Sequence, residues 1–110
     1  MIAAVPGAAT PSEVWAAHES GASMVKVFPI ARLGGAAYVR DLLAVMPGVR
    51  VIATGGVSAA SARELLDAGC AAVGLGTIHS DASLGADPAE RARAGLALLG
   101  RPRPGHERVP

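Results

Sequence analysis

One lysine in an apolar run is the first residue of this sequence that could do covalent chemistry. Residues 24–35 read MVKVFPIARLGG. Met24, Val25, Val27 and Phe28 spell a buried strand. Lys26, the single lysine beside nine arginines, interrupts it. Burying an ammonium is costly unless it is paired or neutralised. Strand alternation puts Met24, Lys26 and Phe28 on one face and Val25 and Val27 on the other. Lys26 is then either a structural ion-pair partner or an amine whose charge is suppressed by desolvation. An ordinary lysine is neutral in about one molecule in two thousand at pH 7. A site that frees the amine lets it add to a ketone as a Schiff base. Spacing leaves both readings open, and no carboxylate near it in sequence is an obvious partner.

Two glycine-bearing turns follow. In ATGGVS, residues 53–58, Thr54 ends an apolar run and Gly55-Gly56 precede a helix that Ser58 can cap. Backbone N–H groups beside a helix start attract anions, and glycines let a ligand approach the backbone. A tight turn explains a lone GG equally well. In VGLGTI, residues 73–78, Gly74 and Gly76 close another strand and Thr77 adds a hydroxyl. Adjacent Gly-rich strand ends build one phosphate site in many (β/α)8 enzymes, so together the two turns favour phosphate.

The elements that must position these residues repeat as strand and helix. IAAV at 2–5 is expected as a first strand ended by Pro6-Gly7. TPSEVWAAHESG then reads as a helix, with Thr10 as N-cap, Pro11 at the first position, Glu13 completing a capping box and Gly21 as a stop. SMVKVF gives the second strand, punctuated by Pro29, and AAYVRDLLAVM its helix. RVIAT and AASARELLDAG make the third pair, stopping at Gly69. AAVGLG and PAERARAGLALL make the fourth, joined by the loop TIHSDASLGAD, with Asp87 as helix cap.

This is an α/β chain of four consecutive βα units, which implies parallel strands and right-handed crossovers. Four units are half of a (β/α)8 barrel. Standing alone they leave two open sheet edges and an apolar inner face, features that invite pairing. A fragment, a half barrel completed by a partner and a small open α/β sandwich all fit. The expected division is a half barrel over 1–100 and a disordered Pro/Arg-rich tail over 101–110.

Composition excludes several classes. The 110 residues carry a net charge of +1 and three aromatics, Trp15, Phe28 and Tyr38, too few for a stacking platform. Neither nucleic acid nor an anionic membrane is an expected partner. Cys70, the single cysteine, rules out an intrachain disulfide and reads in AGCAAVG as a small buried residue. There is no apolar run of about 20 residues and no signal-peptide pattern at the N-terminus, so a cytoplasmic location is expected. Other polar candidates have plainer explanations: Glu13 as a cap, His79 and Asp81 in a polar loop, His18 on a helix surface, His106 in the tail.

PGAATPSE, VKVFPIARLGG, ATGGVS and AGCAAVGLGT, in this order, resemble the 2-keto-3-deoxy-6-phosphogluconate (KDPG) / 4-hydroxy-2-oxoglutarate (KHG) aldolases over roughly residues 3–99. The K-x-F-P element argues against another phosphate-binding barrel such as a thiamine-phosphate synthase. The resemblance implies the second half of a (β/α)8 barrel, a class I aldolase, no metal or organic cofactor, and usually a trimer. It makes Lys26 the Schiff-base lysine that condenses with a keto acid. Phe28 and Pro29 would wall the site, and Thr54 would sit near the pyruvyl group. Gly55 and Gly56 would hold phosphate, with Gly76 and Thr77 as the second phosphate element. Two departures stand out. Ala31 occupies a position that is often glutamate, and the four N-terminal units are absent. Those units carry the family's acid/base glutamate and a carboxylate-binding arginine. The expected partners are a phosphorylated keto acid and further copies, or a complementary N-terminal half barrel. A non-catalytic, self-associating phosphate-binding half barrel is the alternative.

Overall fold

The computed structural model describes residues 3–76 and 81–99. Among them a four-stranded parallel sheet runs in the order β1 (Gly7–Ala8), β2 (Val25–Val27), β3 (Val51–Ala53), β4 (Ala72–Val73). Helices alternate with the strands: α1 (Pro11–Glu19), a short α2 (Ile30–Leu33), α3 (Gly35–Val45), α4 (Ala59–Asp67) and α5 (Pro88–Leu99). A 3-10 turn over Ala82–Leu84 precedes α5. Sequential order with every pair parallel is the layout of half a (β/α)8 barrel.

The helix starts form where their polar residues dictate. Thr10 Oγ1 accepts from Glu13 N at 3.3 Å, and the Glu13 carboxylate accepts from Thr10 N at 3.0 Å. These bonds satisfy orphan donors of α1. The Thr10 hydroxyl also donates to the Glu13 carboxylate at 2.8 Å, and this bond first, with the one from Thr10 N, lowers the Glu13 pKa below the usual carboxylate value. Ser58 caps α4, with Ser61 as its reciprocal partner. Asp87 accepts from Glu90 N at 2.9 Å at the start of α5.

The first strand departs from expectation. The paired residues are Gly7–Ala8 and not IAAV, and Pro6 belongs to the ladder because its carbonyl accepts from Lys26 N at 2.9 Å. Proline can stand here because it precedes the first ladder pair, Gly7 with Lys26, where only its carbonyl is used. The fourth strand is shorter than AAVGLG, ending at Val73. The helix at Ile30–Leu33 was not expected; four residues give no periodic signal.

Parallel pairing aligns Gly7, Lys26, Ile52 and Ala72 in one row, and Ala8, Val27, Ala53 and Val73 in the next. The second row faces the helices. Val25, Val27, Val51 and Ala53 are buried there with Val14 of α1, Val39 and Leu42 of α3, and Ala62 and Leu65 of α4. The first row faces solvent, with Gly7 and Lys26 exposed and Ile52 and Ala72 half-buried. The core is therefore one-sided, between sheet and helices. Leu65, 2% exposed, is expected to cost about 2–5 kcal/mol when changed to alanine. Val45, 73% exposed, should stay within about 0.5 kcal/mol. Urea unfolding of Leu65→Ala and Val45→Ala checks the contrast; equal midpoints would contradict a one-sided core.

Candidate active site

Strand alternation puts Lys26 between two fully buried valines yet on the opposite face. Its side chain is exposed, which corrects the expectation of a buried ammonium. The sequence run is apolar because both neighbours serve the helix-covered face, while the face of Lys26 has no cover among the described residues.

Beyond Lys26 the second and third strands stay joined. Thr54 N donates to Val27 O at 3.1 Å, Ile30 N to Thr54 O at 2.8 Å, and Ala31 N to Gly55 O at 3.1 Å. Phe28-Pro29, linked by a cis peptide bond, thus lies against the TGG turn. Gly55 is required by that contact. Its φ is +96°, and a Cβ there would sit 2.8 Å from Phe28 Cδ2 and from Pro29 Cα. Ala31, at the position where family members often carry glutamate, packs as tightly on Gly56, whose Cβ would meet Ala31 Cβ at 2.8 Å.

Thr54 follows β3 on the same face as Lys26. Strand geometry separates their Cα atoms by about 8 Å, two residues along and one strand across. The Thr54 methyl lies over Gly74, where an added Cβ would come within 2.7 Å of Cγ2. Its hydroxyl is buried with no hydrogen-bond partner. A buried hydroxyl left unpaired costs about 1–3 kcal/mol, so this strand end carries an unmet hydrogen-bonding group.

Phe28 is 56% exposed and Gly56 is exposed. Gly76 follows β4 with open space where a side chain would stand. The parallel sheet sends the TGG turn and Gly76 out of the same end. Thr77 and His79 lie outside the described residues, as does the tail 101–110. Asp81 is held by its own loop: its carboxylate accepts from Ser83 N at 3.0 Å and Ser83 Oγ at 2.6 Å, bonds that lower its pKa.

Sequence reasoning missed Tyr38. From α3 its hydroxyl donates to Ala9 O at 2.6 Å and ties the loop after β1 to the second βα unit. Its being the single tyrosine gave no clue, because the contact spans 29 residues.

With this geometry in view, the pattern described as "Aldolase: KDPG and KHG aldolase" matches residues 1–92. The chain belongs to that family. It is 42% identical over 73 residues to the 2-dehydro-3-deoxy-6-phosphogalactonate aldolase of Escherichia coli (strain K12), covering 66% of this chain and 35% of the relative. A probable aldolase of the same name from Rhizobium meliloti (strain 1021) is 36% identical over 95 residues, covering 84% of this chain and 44% of the relative. A solved structure described as "Native KDPGal structure" superposes with a TM-score of 0.72 at 35% identity, covering 90% of this chain and 47% of that one. The chain thus spans less than half the length of these relatives. Among the described residues no helix is long and apolar enough to cross a membrane.

Two outcomes follow. Gly55→Ala meets both a clash and a strained backbone and is expected to destabilise the chain by about 1–3 kcal/mol; a thermal melt indistinguishable from the parent would contradict the close packing of Phe28-Pro29 on this turn. Cys70 is 7% exposed, and burial pushes its thiol up to about 11. Its thiolate at pH 8 is then about one part in a thousand. A chromogenic disulfide reagent should label it slowly in the folded chain and at once in urea. Because the folded value lies above the ordinary 9.0, its contribution to stability is full at lower pH and is lost as pH rises through about 11. Rapid native labelling at pH 8 would contradict its burial.

Proposed function

We propose that the protein is the catalytic-lysine half of a class I aldolase acting on 2-keto-3-deoxy-6-phospho sugar acids. The 6-phosphogalactonate compound is the favoured substrate, since both curated relatives above carry its name; the phosphogluconate epimer and 4-hydroxy-2-oxoglutarate stand behind it. The observation that carries the reading is the unpartnered Thr54 hydroxyl at the end of the strand beside Lys26, on the same sheet face.

The uncharged Lys26 Nζ attacks C2 of the keto acid, and loss of water leaves an iminium. The C3–C4 bond breaks, its electron pair moves into the iminium, and the C4 hydroxyl proton passes to a base. Protonation of the resulting enamine at C3 and hydrolysis release pyruvate, leaving C4–C6 as glyceraldehyde 3-phosphate. Phe28 and Pro29 wall this space, and the Thr54 hydroxyl receives a polar atom of the pyruvyl group. Backbone N–H groups of Gly55, Gly56, Gly76 and Thr77 hold the phosphate, so that binding far from the bond places the reacting carbon. The setting we favour is a cytoplasmic homo-oligomer, a trimer by family resemblance, or a pairing with a complementary half barrel.

The row Gly7, Lys26, Ile52, Ala72 contains no carboxylate, so among the described residues the sheet puts no base beside Lys26. Incubation with pyruvate and borohydride is expected to add one 1-carboxyethyl group to Lys26, detected by mass spectrometry of the peptide and absent in Lys26→Ala. Turnover should lie about 10²–10⁴-fold below that of a whole barrel, the range general acid–base catalysis supplies. No adduct on Lys26 would remove the Schiff-base reading. Phosphate binding that survives Lys26→Ala without any adduct would favour the self-associating, non-catalytic half barrel.

A further inference from the structure

Gly7 is a glycine the fold does not require. It pairs with Lys26 in the ladder and does not have positive φ. The nearest heavy atom to a Cβ built on it is Lys26 O at 3.9 Å, an ordinary contact. Among the described residues nothing would strain or clash with a small side chain there. Gly74, on the same face two strands from Lys26, is different, because the Thr54 methyl fills its Cβ space at 2.7 Å. A strand glycine without a packing reason marks a place that a ligand or another backbone approaches closely.

The row gives that space a direction. On the β3 side Lys26 has the Ile52 side chain, with Ala72 beyond; on the β1 side its ladder partner has no side chain. We infer that Gly7 is a specificity-determining position, which keeps open the volume beside Lys26 that the reacting end of the keto acid occupies. The inference rests on the imine reading and adds the side from which the ketone reaches the amine. A ketone carbon carries two substituents, and both must fit beside Nζ when the C–N bond forms and water leaves. A branched side chain at residue 7 would fill the space they need while leaving the amine in place.

Two carbonyl probes separate room for substrate from reactivity of the amine. Formaldehyde with borohydride methylates Lys26 and needs almost no space. Pyruvate with borohydride adds the 1-carboxyethyl group and needs the volume on both sides of the carbonyl. Gly7→Ala and Gly7→Val are compared with the parent chain, with circular dichroism as a check on folding. The expected result is a graded loss, with pyruvate labelling of Lys26 down by about tenfold or more in Gly7→Val and less in Gly7→Ala. Formaldehyde labelling should stay within about twofold throughout. Pyruvate labelling in Gly7→Val equal to the parent's overturns the inference. A parallel loss with both probes also overturns it, because the substitution would then act on the amine or the fold. If the parent chain takes formaldehyde but no pyruvate, the imine reading fails and this inference fails with it, an outcome distinct from the other two.

Discussion

The period-two alternation of a strand, carried across a parallel register, is the constraint on which the rest of this structure depends. Val25 and Val27 must face the helices because their burial holds the sheet to α1, α3 and α4. Once they do, Lys26 has no choice of face. Pairing with β1 and β3 then fixes its neighbours as Gly7 and Ile52. A register slip of one residue would bury the lysine and expose both valines, so the hydrophobic core itself sets the position of the amine. Chemistry and stability are thus written in alternate residues of the same three-residue strand.

The second and third strand ends are joined as firmly as the strands. The carbonyls of Thr54 and Gly55 accept from Ile30 and Ala31, and the TGG turn has no room for side chains against Phe28-Pro29 and Ala31. The K-x-F-P and T-G-G elements therefore form one packed unit. Each explains residues in the other: Gly55 is glycine because of Phe28 and Pro29, and Gly56 because of Ala31. Two motifs that look independent in sequence meet in this contact, and it keeps the end of β2 beside the turn that would receive phosphate.

Much of this was legible in the sequence. The Thr10–Glu13 capping box, the Ser58 cap and the alternation around Lys26 rest on short-range spacing, and each stands where its residues predict. What escaped depends on partners far along the chain. Pro6-Gly7 looks like a strand end because proline lacks a donor, yet at the first position of a strand its carbonyl suffices. The Tyr38–Ala9 bond and the fit of Thr54 over Gly74 join different βα units, and no local pattern announces them. The burial of Lys26 was misjudged for a related reason. An apolar run signals two covered faces in a complete barrel, whereas here one face has its helices and the other has none among the described residues.

That bare face bears directly on what the lysine can do. An ammonium in water keeps its hydration, and nothing in the row Gly7, Lys26, Ile52, Ala72 competes for its charge. Covering the face would remove that water and strengthen every electrostatic interaction within it, since the same pair of charges attracts several-fold more strongly near a protein interior than in bulk solvent. On the proposed reading, one half of the barrel positions the Lys26 amine and whatever closes the other side completes its surroundings. The Thr54 hydroxyl is already buried, a setting in which a single hydrogen bond counts for more than in water. On the proposed reading, such a half barrel binds and positions first, and excluding water from its open face would complete the site.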